Sequence, residues 1–439
     1  EHAHRLQVRP AIGIRVNLNT QGVGRWAESS GLRAKFGLTL AEVLEAVSTL
    51  RKAGLLDRLE LLHCHMGSQM HDIRQVVGGV GELTRIYVEL HRLGAGLRYL
   101  DIGGGLGIDY SGSQADDPLS RNYTLEEYAS SVVHRIQSIC DEAGISHPRV
   151  ISESGRAMVA QQSVLVFDVL GTNSFEPHRL PASVEELVHQ DGSEPPRPLV
   201  DLFEAWTRLD PDSLLECWHD AESARMEAIT TFSLGYMTLQ HRADVERIFW
   251  TLALRVRDLA RDLDVVPEEL SALDETLADV YFCNLSIFQS LPDCWAIDQV
   301  FPIAPIHRLD ETPTRLGTLA DLTCDSDGKI DRFIGPAGVR NSMPLHELRE
   351  GEPYQLAAFL VGAYQETLGD LHNLFGDTHV AHVRIDEEGR WWIEEIVEGD
   401  TIGEVLSYMQ YDPRALSGRL RNECEASVRE GGLTVQQSR

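Results

Sequence analysis

Four short apolar runs, each followed by a longer helical pattern or a turn signal, constrain the fold more than any other feature of this chain. Ala11–Val16 (AIGIRV) reads as a buried strand. Thr39-Leu-Ala-Glu42 is a capping box, and Val43, Leu44, Val47 and Leu50 follow at helical spacing up to Gly54. Leu59–Cys64 reads as a second strand, and Ile73–Leu93 as a second helix ended by Gly94. Tyr99–Ile102 is a third strand, and Thr124-Leu-Glu-Glu127 opens a helix that runs to Gly144. Arg149–Ser152 is a fourth strand. Strands alternating with helices of this length predict a parallel sheet covered by helices.

The pattern changes after about residue 175. Pro181–Pro198 is polar and proline-bearing and reads as a linker. Leu199 to about Leu277 carries only helical signals, with stripes at Leu202, Phe203 and Trp206 and at Val245, Ile248, Leu252, Val256 and Leu259. Strands return at Gln299–Ile306, Leu319–Cys324, His379–Ile385 and Trp391–Ile396, and Thr401–Glu430 is helical. These signals divide the chain into an α/β unit (1–175), a linker with an inserted helical bundle (176–280), a β-domain (281–398) and C-terminal helices (399–439).

A net charge of −29 disfavours nucleic acid and anionic membranes as partners and suits a cationic small substrate, although acidity also serves solubility alone. No apolar run approaches the roughly 20 residues of a membrane helix. The cysteines, Cys64, Cys140, Cys217, Cys283, Cys294, Cys324 and Cys424, form no CxxC pair, which points to a reducing, cytoplasmic setting. Only three lysines occur: Lys35, Lys52 and Lys329.

Local motifs with chemical content lie at strand ends. In Leu100-Asp-Ile-Gly-Gly-Gly-Leu-Gly-Ile-Asp109 a strand runs into Gly103, Gly104, Gly105 and Gly107. Glycines let backbone amides close on an anion, so a phosphate cradle is favoured over a plain tight turn. His63-Cys-His-Met-Gly-Ser-Gln69 places His63 and His65 on one strand face, as a metal pair, a stacking imidazole or core histidines. Ser152-Glu-Ser-Gly-Arg156 offers Glu153 to a ring nitrogen and Gly155 and Arg156 to an anion, or forms a structural Glu–Arg pair. Thr323-Cys-Asp-Ser-Asp-Gly328 sets a thiol beside acids, as a proton donor with a cation contact or as a polar turn; its glycine comes too early for a calcium loop.

Together these motifs resemble the fold-type III pyridoxal-phosphate (PLP) decarboxylases, most closely the long biosynthetic arginine decarboxylases. The resemblance runs through LLHCHMGSQM (61–70), LDIGGGLGIDY (100–110), SESGRA (152–157), NLSIFQSLPDCWAIDQVFPIAPI (284–306), LTCDSDGKID (322–331) and LVGAYQETLGDLHNLFGD (360–377). It implies the C-terminal half of a PLP-binding (β/α)8 barrel, an inserted helical bundle, a β-sandwich or barrel domain and a helical tail. It implies decarboxylation of L-arginine to agmatine and carbon dioxide through a PLP aldimine, as the first step of polyamine synthesis.

Residue by residue, the resemblance implies that His65 stacks on the pyridine ring and Glu153 pairs with its nitrogen. Ser68, Gly103, Gly104, Gly105, Gly155 and Arg156 hold the phosphate, with Tyr364 reaching it from the β-domain. Cys324 protonates the carbon that loses carbon dioxide. Asp325 meets the distal cation of the substrate, with Asp327 assisting. Cys324 and Asp325 are expected from the partner subunit, so a homodimer or higher oligomer is implied. Members are commonly described as needing Mg2+, for which the sequence offers no ligand cluster.

The family also holds PLP on a lysine of its first barrel strand. The first strand here matches the family's fifth, and none of the three lysines fits that place. We therefore expect this chain to be part of a longer product, to fold poorly alone, and to be inactive by itself. A diaminopimelate- or carboxynorspermidine-type decarboxylase and a non-catalytic regulatory homologue are the alternative expectations.

Overall fold

A computed structural model describes residues 2–19, 34–189, 192–336 and 338–438. The first unit is a four-stranded parallel sheet in the order β1 (Ile12–Arg15), β2 (Leu59–His63), β3 (Tyr99–Asp101), β4 (Arg149–Ile151). Helices Leu40–Lys52, Ile73–Arg92 and Leu125–Ala143 connect consecutive strands. Both capping boxes form: the Thr39 and Thr124 side chains accept from the Glu42 and Glu127 amides, and each glutamate reaches back to the cap amide. These reciprocal bonds satisfy amides that a helix start leaves unpaired. The helices turn Val43, Val47, Val80, Leu83, Val132 and Ile136 onto Leu59, Leu62 and Leu100 of the sheet, which are fully buried.

The bundle packs helices Arg197–Arg208, Leu214–Ser233 and Leu239–Ala260 around Leu202, Phe203, Val245, Ile248, Leu252 and Val256. The predicted linker is partly ordered: a 3-10 turn at Val184–Leu187 seals Leu187 into that core, while residues 190–191 lie outside the described ones.

The third layer differs from the sequence reading in one important respect. β5 (Leu165–Asn173), which falls within the unit drawn at 1–175, belongs to the sheet of the β-domain. It pairs antiparallel with both β6 (Asp279–Cys283) and β13 (Gln355–Ala358). Beyond β13 lies β7 (Ile303–Pro305); beyond β6 come β8 (Arg315–Ala320) and β12 (Met343–Leu345), with β9 (Lys329–Ile330) also on β8. β10 (Phe333–Gly335) and β11 (Gly338–Arg340) form a ribbon, and β14 (Val380–Ile385) and β15 (Trp391–Val397) form an exposed hairpin. The predicted strand 299–306 shrinks to β7, because Pro302 and Pro305 have no amide to donate. The predicted strand 319–324 shifts to 315–320, because the Asp321 carboxylate accepts the Thr323 amide and hydroxyl and turns the chain. Helices Ile402–Tyr408 and Pro413–Arg429 close the chain. Among the described residues no helix is long and apolar enough to cross a membrane.

Candidate functional site

Parallel register aligns the carboxyl ends of the first sheet. Arg15 is opposite His63, His63 opposite Asp101, and Asp101 opposite Ile151. Asp101 Oδ1 accepts the Gly103 amide at 2.9 Å, and the Gly103 carbonyl accepts the Glu153 amide at 2.9 Å. His63 Nδ1 lies 3.0 Å from Asp101 Oδ2, without the geometry of a hydrogen bond. One ligand-type atom from each of His63, Asp101 and Glu153 lies within 4.8 Å of the others. The sequence reading found no such cluster, because its members come from three strands.

His65 follows β2 directly and lies close enough to this floor to feel its charges. Burial depresses its pKa, Arg15 and His63 push the same way, and Glu153 and Asp101 oppose them. The imidazole is therefore held neutral more firmly than an exposed histidine. The glycine run lies alongside. A Cβ on Gly104 would stand 2.7 Å from the Glu153 carbonyl oxygen and 3.6 Å from His65 Cε1. Gly105 has φ +112°, and a Cβ there would meet the Gly67 carbonyl at 3.1 Å. The bare backbone is thus required by the fold of the floor as well as by any anion.

Arg156 enters from the short helix Gly155–Val159 and is 5% exposed. Nη1 donates to the Tyr110 hydroxyl at 2.9 Å, Nε donates to Ser68 Oγ at 3.3 Å, and Cζ lies 4.9 Å from the Tyr364 ring centroid. Among the described residues no carboxylate forms an ion pair with it; the partners are two hydroxyls and an aromatic face. Burial raises the Tyr110 pKa, and the guanidinium partly offsets that rise. Nothing lies within 4 Å of where a Gly155 Cβ would be, so that position is sterically open.

A second constellation lies beyond β8. Cys324 is exposed; its amide donates to Asn373 Oδ1 at 3.1 Å and its sulfur lies 3.5 Å from the same oxygen. Asp325 Oδ2 is 3.7 Å from His372 Nε2, and Asp325 Oδ1 accepts the Asp327 amide at 2.9 Å. Asp321 Oδ2 accepts the Ile287 amide at 2.9 Å, so the acid at the root of the loop is structural. No hydrogen bond or ion pair among the described residues joins Cys324, Asp325 or Asp327 to His65, Glu153 or Arg156. The structure thus brings the predicted residues into two groups. His65, Ser68, Gly103, Gly104, Gly105, Glu153, Gly155, Arg156 and Tyr364 line the first; Cys324, Asp325 and Asp327 form the second.

His63, Asp101 and Tyr110 belong to the first group without having been assigned by sequence. All three lie inside quoted motifs, and only the cross-strand register reveals their meeting. Lys35 and Arg15 both lie over the Phe36 ring, at 5.2 and 5.6 Å from its centroid; Lys52 is in the last turn of its helix, and Lys329 pairs with Asp331 at 2.7 Å.

Comparisons with known proteins cover the same regions. Residues 1–160 match the family model described as pyridoxal-dependent decarboxylase, pyridoxal binding domain. Residues 193–274 match the arginine decarboxylase helical bundle domain, and residues 402–439 the arginine decarboxylase C-terminal helical extension. Biosynthetic arginine decarboxylases of a Nostoc species and of Rhodopirellula baltica are each 47% identical, over 99% and 98% of this chain. The chain spans 63% and 68% of their lengths. The crystal structure of the biosynthetic arginine decarboxylase of Campylobacter jejuni superposes with a TM-score of 0.80 at 33% identity, covering 97% of this chain and 66% of that one. Diaminopimelate decarboxylase of Helicobacter pylori shares the fold at a TM-score of 0.54 and 14% identity.

Proposed function

The chain belongs to the family of biosynthetic arginine decarboxylases, and we propose from this that it takes part in converting L-arginine to agmatine and carbon dioxide at a PLP site, for polyamine synthesis in the cytoplasm. The observation that carries this reading is Arg156, a buried guanidinium beside a glycine cradle with no carboxylate among the described residues to neutralise it. A desolvated charge is costly unless something pairs with it, and a phosphate dianion does so.

The residues present fit the cofactor. Ser68, Gly103, Gly104, Gly105, Gly155 and Arg156 would hold its phosphate, with Tyr364 closing over the guanidinium. His65, kept neutral, would offer a flat face to the ring. Glu153 would hold the ring nitrogen protonated, since a nearby carboxylate favours the charged form of its partner. Bound PLP supplies an electron sink for the carbon that loses carbon dioxide. Cys324 would deliver a proton to that carbon, and Asp325, with Asp327 beside it, would face the substrate guanidinium. Following the family resemblance, the Cys324 loop of a partner subunit is the one we assign to each Arg156 cradle; among the described residues no bond joins loop and cradle within one chain. That makes a homodimer the minimum active unit.

We take the lysine that attaches the cofactor to be none of Lys35, Lys52 and Lys329, since the family carries it on its first barrel strand and β1 here corresponds to the fifth. Magnesium finds no support in the His63–Asp101–Glu153 cluster, since a hard cation prefers oxygen ligands and water.

The test is complementation. This chain is co-expressed with the part of the Nostoc relative that lies outside the matched region, and product is measured with PLP and each candidate amino acid. Agmatine from L-arginine is expected, and it should be lost on Cys324→Ala. Turnover of diaminopimelate in place of arginine, or agmatine formation unaffected by Cys324→Ala, would overturn the reading.

A further inference from the structure

We propose that the turn His372–Leu374 is a template that positions the Cys324–Asp325 pair, with Asn373 fixing the place of the thiol. The proposal rests on the reading of Cys324 as a proton donor. Two consecutive residues of the turn face two consecutive residues of the loop. Asn373 Oδ1 takes the Cys324 amide at 3.1 Å and stands 3.5 Å from its sulfur. His372 lies 4.5 Å from the buried Phe288 ring, centroid to centroid, and places Nε2 3.7 Å from the Asp325 carboxylate.

The backbone of the turn is unusual in a way that serves this contact. Asn373 has φ +53° and Leu374 φ +62°. Left-handed geometry is uncommon for a leucine, and it persists only where the surroundings impose it. Here they do so through a closed circuit. The Asp370 amide donates to the Phe288 carbonyl at 3.0 Å, and the Leu374 amide donates to the Leu371 carbonyl at 2.8 Å. Gln289 Nε2 donates to Asp377 Oδ1 at 2.9 Å. The Ile287 amide returns to Asp321, three residues before the thiol. The turn, the short helix Ile287–Ser290 and the loop therefore form one ring of bonds, which closes at Asn373. Asparagine suits the closing place, because it tolerates a left-handed backbone and carries an acceptor on a short arm. Asn373 and His372 act through Cys324 and Asp325, and so are positioning residues.

Two substitutions separate backbone shape from the acceptor. Asn373→Gly keeps the left-handed turn and removes the oxygen; Asn373→Asp keeps both. In the complemented enzyme, hydrogen exchange at the Cys324 amide should quicken about five- to tenfold in Asn373→Gly and stay near wild type in Asn373→Asp. Exchange at Leu319 in β8 should be unchanged in both, which reports intact folding. In the complemented enzyme, Asn373→Gly should lower kcat about 10- to 100-fold with KM for arginine held within about twofold, and Asn373→Asp should recover most of kcat. Wild-type exchange and wild-type kcat in Asn373→Gly would overturn the template. So would equal losses in Asn373→Gly and Asn373→Asp. If instead Cys324→Ala itself leaves turnover intact, the proton-donor reading falls, and that result is separate from the exchange measurement.

Discussion

Replacing Arg156 with methionine should have opposite effects on ligand binding and on the stability of the empty protein. The side chain is 5% exposed, and its partners among the described residues are the Tyr110 and Ser68 hydroxyls and the Tyr364 face. A bond from a charged donor to a phosphate contributes about 1.5–3 kcal/mol. At about 1.4 kcal/mol per tenfold, Arg156→Met should weaken PLP binding about 10- to 150-fold. Pyridoxal, which has the ring and aldehyde without the phosphate, should bind wild type and variant alike. In the ligand-free protein the same change removes a desolvated charge that no carboxylate among the described residues neutralises. It sacrifices neutral partners worth about 1 kcal/mol each and restores apolar packing of similar volume. The thermal midpoint should therefore hold or rise. The assays are fluorescence titration with the two ligands and thermal denaturation without them. Equal weakening for PLP and pyridoxal, or a strong fall in the ligand-free midpoint, would refute the argument that this guanidinium is built for a phosphate.

Other consequences are open to measurement. Gly104→Ala pushes a methyl to 2.7 Å from the Glu153 carbonyl, so it should cost about 1–3 kcal/mol in stability by denaturant unfolding and weaken PLP binding as well. Burial pushes the Cys64 and Cys283 thiols up to about 12. Brief alkylation at pH 8 followed by peptide mass spectrometry should therefore mark the exposed Cys324 and spare those two. Hydrogen bonds from Arg74 hold Asp72, the cap of helix Ile73–Arg92, down to about 2 from its ordinary 3.8. Its stabilisation is fully present above pH 3.8 and lost as pH falls toward 2, so the stability gap between wild type and Asp72→Asn should close across that window. PLP mixed with this chain alone should show no absorbance of a lysine-bound cofactor, since none of Lys35, Lys52 and Lys329 occupies the strand on which the family carries its attachment lysine; a borohydride-stable adduct on one of them would contradict this.

What could be read from the residues was whatever short-range physics decides. Capping boxes at Thr39 and Thr124, the stripe Val245–Val256 and the strand before Gly103 announce themselves within a few residues of chain. Pairings between distant segments do not. β5 reads as the end of the first unit because nothing in Leu165–Asn173 names its partners, Cys283 and Gln355 among them. The meeting of His63, Asp101 and Glu153 depends on a parallel register, and spacing along one strand cannot supply it. Tyr110 ends the glycine-rich motif, yet its bond to Arg156 spans 46 residues. The shift of β8 away from Cys324 follows from one carboxylate, Asp321, folding the chain back on itself.

The excursion between β5 and β6 leaves from Asn173 and comes back at Val280, directly across the ladder. A whole bundle with a private core thus hangs from neighbouring rungs, as a cassette hangs from two pins. The ladder requires only that those pins stay together. Closure entropy grows with the logarithm of tether length, at about 0.6 kcal/mol per doubling. Such a cassette can be lengthened, trimmed or exchanged over generations without rethreading the sheet beneath it. Recognition features carried there can therefore diverge while the chemistry below keeps its geometry.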